Sequence, residues 1–147
     1  MKYLIVLVVV CAAVSFSEQA MTKEQVMELY NKMVEECAKK ESGSSTDIEE
    51  VFAKKLPSTK NGKCIHACVG ETTGLIKDNK VNVEGAIAMA KMVYDNDAAK
   101  VQMANDLAND CIGVTDGERC EAAFKIIQCS EQAHKARGVS FLDLSSN

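Results

Sequence analysis

The sequence predicts an all-α domain, and three observations carry that expectation. Apolar residues recur every three or four positions, and no stretch alternates apolar and polar long enough for a strand. The chain has one proline, Pro57, so little interrupts a run of helices joined by short turns. Six cysteines, spaced Cys37-x26-Cys64-x3-Cys68-x42-Cys111-x8-Cys120-x8-Cys129, read as a disulfide framework in a small secreted protein. About six helices are expected. Pinned by crosslinks, they can enclose a centre that is not filled by side chains.

The chain begins with Met1 and Lys2, an apolar run from Leu4 to Val14, and small residues at Ser15 and Ser17. This is the pattern of a secretion signal, with cleavage expected between Ser17 and Glu18. The run is well short of the ~20 residues that cross a membrane. Cys11 lies inside the signal and stays outside the framework. Residues 1–17 are thus a signal peptide, and 18–147 form a single domain.

Thr22 and Gln25 have the spacing of a capping box and open the first helix. Val26, Leu29, Tyr30, Met33, Val34 and Cys37 then share its apolar stripe. Gly43-Ser44-Ser45 breaks it. Asp47 with Glu50 is expected to cap a short second helix that turns Ile48, Val51 and Phe52 inward. Pro57 starts a turn that ends near Asn61-Gly62. A third helix is expected over roughly Gly62 to Ile76, with Cys64 and Cys68 one turn apart. Lys77-Asp78-Asn79-Lys80 reads as a polar turn. Asn82 can cap a fourth helix bearing Ala86, Ile87, Met89, Ala90, Val93 and Tyr94. After Asp95-Asn96-Asp97 a fifth helix runs to Cys111, with Val101, Ala104, Leu107 and Ala108 inward. Thr115 or Asp116 starts a sixth, on which Cys120, Ala123, Phe124 and Ile127 share a face. Arg137 suits its negative end, and Gly138 is a fitting stop.

Charge narrows the functional classes. The chain has 17 Lys and Arg against 21 Asp and Glu, a net charge of −4 that becomes −5 when Lys2 leaves with the signal. Nucleic acid and anionic membranes both require clustered positive charge, which this chain lacks. No Asn-x-Ser/Thr acceptor for N-glycosylation occurs.

Six cysteines allow 15 pairings. Helix geometry opposes Cys64–Cys68, whose side chains point outward from one helix. Cys120 and Cys129 would stand about 13 Å apart on a helix, beyond the reach of a bridge. Ten pairings remain open on this reasoning.

The cysteine spacing resembles that of the insect odorant-binding and pheromone-binding proteins. Three residues separate the second and third cysteines, eight separate the last two, and a long gap lies between. Two stretches add to it: Lys77-Asp78-Asn79-Lys80-Val81-Asn82 leading into a helix, and Cys120-Glu121-Ala122-Ala123-Phe124 leading to Cys129. The resemblance spans nearly the whole of 18–147. It implies the interlocked pairs Cys37–Cys68, Cys64–Cys120 and Cys111–Cys129, helices around a central apolar cavity, and a carrier of small hydrophobic molecules.

Helical facing then nominates the cavity wall: Tyr30, Met33, Val69, Leu75, Ile76, Met89, Met92, Val93, Leu107, Phe124 and Ile127. Tyr30, Tyr94, Thr72 and Thr73 are the polar groups placed to orient a ligand oxygen. Met27, Met33, Met89, Met92 and Met103 supply flexible thioethers, which repack readily around different shapes. With no Trp and few aromatics, the wall favours flexible aliphatic ligands. The tail after Gly138 is apolar at Val139, Phe141, Leu142 and Leu144. Family members with such tails often fold them over the cavity, so Phe141 and Leu142 are expected to close it.

Catalysis has little support. His66, beside framework cysteines, resembles the catalytic helix of secreted phospholipases, but Ala67 follows where those carry Asp, and their glycine-rich calcium loop is missing. A zinc site on Cys64, His66 and Cys68 conflicts with disulfide formation, which consumes the thiolates. His66 and His134 are the only imidazoles. No enzyme, metal or cofactor is expected.

The expected function is that of a secreted extracellular carrier of an odorant or pheromone, in sensillar lymph facing an olfactory receptor. The alternatives are a non-olfactory carrier of the same family and a bridged helical interaction protein with no interior ligand. No stable membrane insertion is expected. The sequence favours neither a monomer nor a weak homodimer.

Overall fold

The computed structural model describes residues 22–139. Six helices account for most of them: α1 (Lys23–Lys40), α2 (Ser45–Phe52), α3 (Lys60–Thr72), α4 (Val83–Val93), α5 (Ala98–Asp110) and α6 (Arg119–Arg137). Between α3 and α4 the chain makes a small hairpin, β1 (Ile76–Lys77) and β2 (Lys80–Val81).

Side-chain caps set most of the helix starts. The Thr22 hydroxyl accepts from the Gln25 amide at 3.3 Å while the Gln25 side chain accepts from the Thr22 N–H at 2.9 Å, a reciprocal box. The second helix starts earlier than expected. Ser44 is its cap and Asp47 is the third helical residue, accepting from the Ser44 N–H and hydroxyl, each at 2.7 Å. Thr59 caps α3 and Asp97 caps α5. The last helix begins after Glu118, later than Thr115 or Asp116, because Asp116 is engaged elsewhere: it pairs with Lys125 at 2.6 Å. Gly138 ends α6 with a left-handed φ of 65°, which glycine adopts without strain.

The third helix stops at Thr72, short of the expected Ile76. Leu75 falls in the turn, and Ile76 enters the hairpin opposite Val81. Asp78 and Asn79 both take positive φ (51° and 60°), the turn geometry that suits right-handed strand twist. What reads as a polar turn is therefore the tip of a hairpin. Asn82 stands at the α4 cap position, but its side chain donates to the Gly74 carbonyl at 2.8 Å instead of capping the helix.

That carbonyl also sets how closely α4 can approach. A Cβ at Gly85 would stand 1.9 Å from the Gly74 oxygen. Alanine is the better helix former by about 1 kcal/mol, yet the clash is with backbone, which cannot swing aside. Gly85→Ala is expected to cost about 1–3 kcal/mol of stability, read as a lowered urea midpoint. An unchanged midpoint would show that α4 slides off the turn without penalty.

Two apolar clusters form the solid part of the domain. In one, Val34, Cys37, Ala38, Val51, Ile65, Cys68 and Val69 join α1, α2 and α3. In the other, Ala67, Ile76, Ala123 and Ile126 join α3, the hairpin and α6. Small residues on both sides let α3 and α6 pack closely. Three disulfides fix the same frame: Cys37–Cys68 ties α1 to α3, Cys64–Cys120 ties α3 to α6, and Cys111–Cys129 ties the end of α5 to α6. Their Cα separations of 5.7, 4.5 and 5.9 Å lie in the normal range.

One buried acid reinforces the joint between α2 and α3. Asp47 is 2% exposed. Besides the two bonds from Ser44 it accepts from the Thr59 hydroxyl at 2.5 Å, and the Thr59 oxygen in turn accepts from the Gly62 N–H at 2.9 Å. The Thr59 bond, then the Ser44 amide, holds the Asp47 carboxyl below its ordinary pKa despite burial. Arg119 makes a second tie, gripping Glu71 through two nitrogens and reaching Glu41 at 3.0 Å, so that the ends of α1 and α3 meet the start of α6.

Candidate functional site

The apolar residues outside the two clusters lie mostly on α4, α5 and the middle of α6. On α4, the 100° step per residue puts Ala86, Ile87, Met89, Ala90 and Val93 on one side. All of these except the fully buried Ala90 are only partly buried. Val101, Ala104, Leu107 and Ala108 form the matching face of α5, and again only the alanine, Ala108, is fully buried. The two helices pack against each other, and α5 against α6. Phe124 and Ile127 of α6 are partly buried as well.

The nominated wall residues thus divide into groups. Met89 and Val93 of α4, Leu107 of α5, and Phe124 and Ile127 of α6 are each partly buried. Tyr30 and Met33 flank the α1–α2–α3 cluster, and burial pushes the Tyr30 phenol above its ordinary pKa. Val69 and Ile76 belong to the solid clusters. Leu75 is partly buried in the turn before the hairpin. Met92, at the edge of the α4 face beyond Met89, is 50% exposed, and Met27 and Met103 are exposed too. Phe141 and Leu142 lie outside the described residues.

The polar groups proposed to orient a ligand are differently engaged. The Thr72 hydroxyl donates to the Cys68 carbonyl at 2.8 Å, and the Thr73 hydroxyl donates to Val69 at 2.8 Å. Both satisfy their own helix. The Tyr94 ring lies under the Lys100 ammonium, 5.1 Å from the ring centroid. Lys63 covers Phe124 at 4.2 Å while pairing with Glu121 at 2.8 Å, so a cation sits over one end of the α6 face.

Sequence reasoning underrated His66. It is partly buried, and its Nε2 atom is fully buried without a hydrogen-bond partner among the described residues. Burial pushes its pKa down from 6.5 to about 4, with the Glu50 charge opposing the shift. The imidazole is therefore neutral at pH 7. His134 differs, with Nδ1 lying 2.6 Å from the Ser130 carbonyl one turn back.

Among the described residues no three or more His, Cys, Asp or Glu side chains converge as metal ligands, and Cys64 and Cys68 are both in disulfides. No helix among them is long and apolar enough to cross a membrane.

Comparison with known proteins places this architecture. The solved structure of odorant-binding protein 28a from Drosophila melanogaster superposes with a TM-score of 0.69 at 26% identity, covering 81% of this chain and all of that one. In sequence, Drosophila general odorant-binding protein 28a is 28% identical over 123 residues, 82% of this chain and 86% of that protein. The fatty acid binding protein OBP56a from the oral disk of the blowfly Phormia regina shares the fold, with a TM-score of 0.63 at 22% identity, over 81% of this chain and 99% of that one. These relatives are carriers and not enzymes. With the PBP/GOBP family model matching residues 19–133, and with its six cysteines bridged in three pairs across an all-helical frame, the chain belongs to the PBP/GOBP family of odorant-binding proteins.

Proposed function

We propose that this protein is a secreted carrier that holds one small hydrophobic molecule against the inward faces of α4, α5 and α6 and moves it through extracellular fluid. One observation carries the reading. The most apolar helix of the described chain, α4, buries only Ala90 completely, and neither solid cluster includes a residue of α4 or α5. Ile87, Met89, Val93, Val101, Leu107, Phe124 and Ile127 are apolar yet only partly buried, on three helices of which α4 packs on α5 and α5 on α6. An apolar guest completes their burial.

The chemistry is partition, with no bond made or broken. Burial of apolar ligand surface contributes about 25 cal/mol per Å², enough for a medium-sized aliphatic molecule to bind in the micromolar range. The bridges keep the frame from collapsing onto the site when it is empty. Met33 and Met89 let the wall fit more than one shape. Tyr30 and Leu75 extend the wall. The natural ligand on this reading is an odorant or pheromone, carried through sensillar lymph to an olfactory receptor. The same partition would serve a carrier in another secreted fluid.

A displaceable hydrophobic fluorophore tests the reading. Uptake of one dye per chain with a dissociation constant in the micromolar range, reversed by long-chain alcohols or esters, is the expected result. No uptake by the folded, fully bridged protein, with tight capture of a protein partner instead, would make it an interaction module.

A further inference from the structure

On α3, a helix packed on several sides, His66 has a buried polar atom that no described residue uses. On a helical projection His66 stands between two sides of α3 with different neighbours. On one side, one turn either way, are Val69, which packs with Val34 and Val51, and Gly62, whose missing Cβ leaves room for Asp47 and Pro57. On the other are Lys63, which covers the Phe124 ring, and Gly70, where a Cβ would meet Ile76 at 2.6 Å. Cys64 and Cys68, on the side away from His66, are buried in the bridges to α6 and α1, and the exposed residues Asn61, Glu71 and Thr72 lie at the two ends of the helix. His66 therefore projects between the α1–α2 side and the α6–hairpin side of the domain. Its Nε2 is buried there without a partner among the described residues.

We infer that His66 is the residue that selects the ligand's polar head, and that the head is a neutral hydroxyl. The inference rests on the carrier reading and adds a chemical class to it. A buried, unpaired imidazole nitrogen costs free energy that a ligand group recovers by bonding to it. A hydroxyl donates to a bare Nε2, which an ether oxygen cannot do. A carboxylate fits poorly. The imidazole is neutral at pH 7, the nearby Lys63 ammonium is already paired with Glu121, and the field of Glu50 is negative. The preferred guest is a long-chain alcohol or an alkyl phenol, with its chain along the faces of α4, α5 and α6 and its oxygen at His66.

The test compares 1-dodecanol, its methyl ether and dodecanoic acid as competitors of a bound fluorophore at pH 7.5. In the wild type the alcohol is expected to bind about tenfold more tightly than the ether, the gap that one hydrogen bond provides, and more tightly than the acid. His66→Leu should abolish the alcohol–ether gap while ether and dye affinities stay within about threefold. A second readout needs no variant: in 15N-histidine-labelled wild type, the alcohol should shift the His66 ring nitrogen resonances and the ether should not. Equal affinity for alcohol and ether in the wild type, a gap that survives in His66→Leu, unmoved His66 resonances, or preference for the acid would each overturn the assignment. Dye uptake by the wild type is scored separately, so a failed anchor and a failed carrier give different results.

Discussion

Replacing Cys64 and Cys120 together by alanine is expected to cost about 4 kcal/mol of stability and to lower the melting temperature by roughly 15 °C. This bridge joins the two central helices over a sequence separation of 56, against 31 for Cys37–Cys68 and 18 for Cys111–Cys129. The longest loop gives the largest restriction of the unfolded chain. Removal of Cys111 and Cys129 should cost about 3 kcal/mol on the same reasoning. The consequences for binding run the other way. The short bridge fastens α5, which carries part of the proposed wall, so its loss should weaken ligand uptake more than its stability cost suggests. Thermal melts and dye titrations on the two double variants check both orders. Equal melting temperatures would mean that strain or residual unfolded structure outweighs loop length here.

Acidification is expected to remove up to about 3 kcal/mol of stability through His66 alone. In the unfolded chain this imidazole takes up its proton near pH 6.5, whereas in the fold burial delays protonation to about pH 4, against the opposing charge of Glu50. Between those values the unfolded state binds more protons. The contribution is therefore fully present above pH 6.5, falls as the pH drops through that window, and is gone below about pH 4. Asp47, whose pKa is lowered by Thr59 and Ser44, adds a separate loss at still lower pH, when its carboxylate is protonated. Urea midpoints at pH 7.5, 5.5 and 4.5 should fall steadily in the wild type and much less in His66→Gln. A parallel fall in both proteins would assign the acid response to other groups.

The sequence made the helices legible because each carries a cap or a stop with its own local chemistry. Thr22 with Gln25, Asp97 and Gly138 act within a few residues of themselves, so their roles can be read without knowing the fold. Features that depend on distant residues were misjudged. Asp47 reads as a cap, but its burial depends on Thr59, twelve positions on. The hairpin was missed because two-residue strands leave almost no alternation to detect. Its signals were the Asp78-Asn79 turn and the apolar pair Ile76 and Val81 on either side. Among the wall residues, Met89 and Met92 look equivalent at helical spacing. The start of α4 at Val83 decides their fates, turning Met89 inward and leaving Met92 half exposed. His66 carries no motif, and its importance arises only where the faces of α3 meet other helices.

Methyl-labelled methionine provides the most direct test that the ligand lies inside the helical frame. Met33 and Met89 are partly buried on inward faces, whereas Met27, Met92 and Met103 are 38%, 50% and 40% exposed. On titration with one equivalent of a long-chain alcohol, the Met89 methyl resonance should shift most and Met33 should follow. The three exposed methyls should stay within a line width. Binding that moves Met92 and Met103 while leaving Met89 in place would put the ligand on the outer surface and contradict the interior carrier.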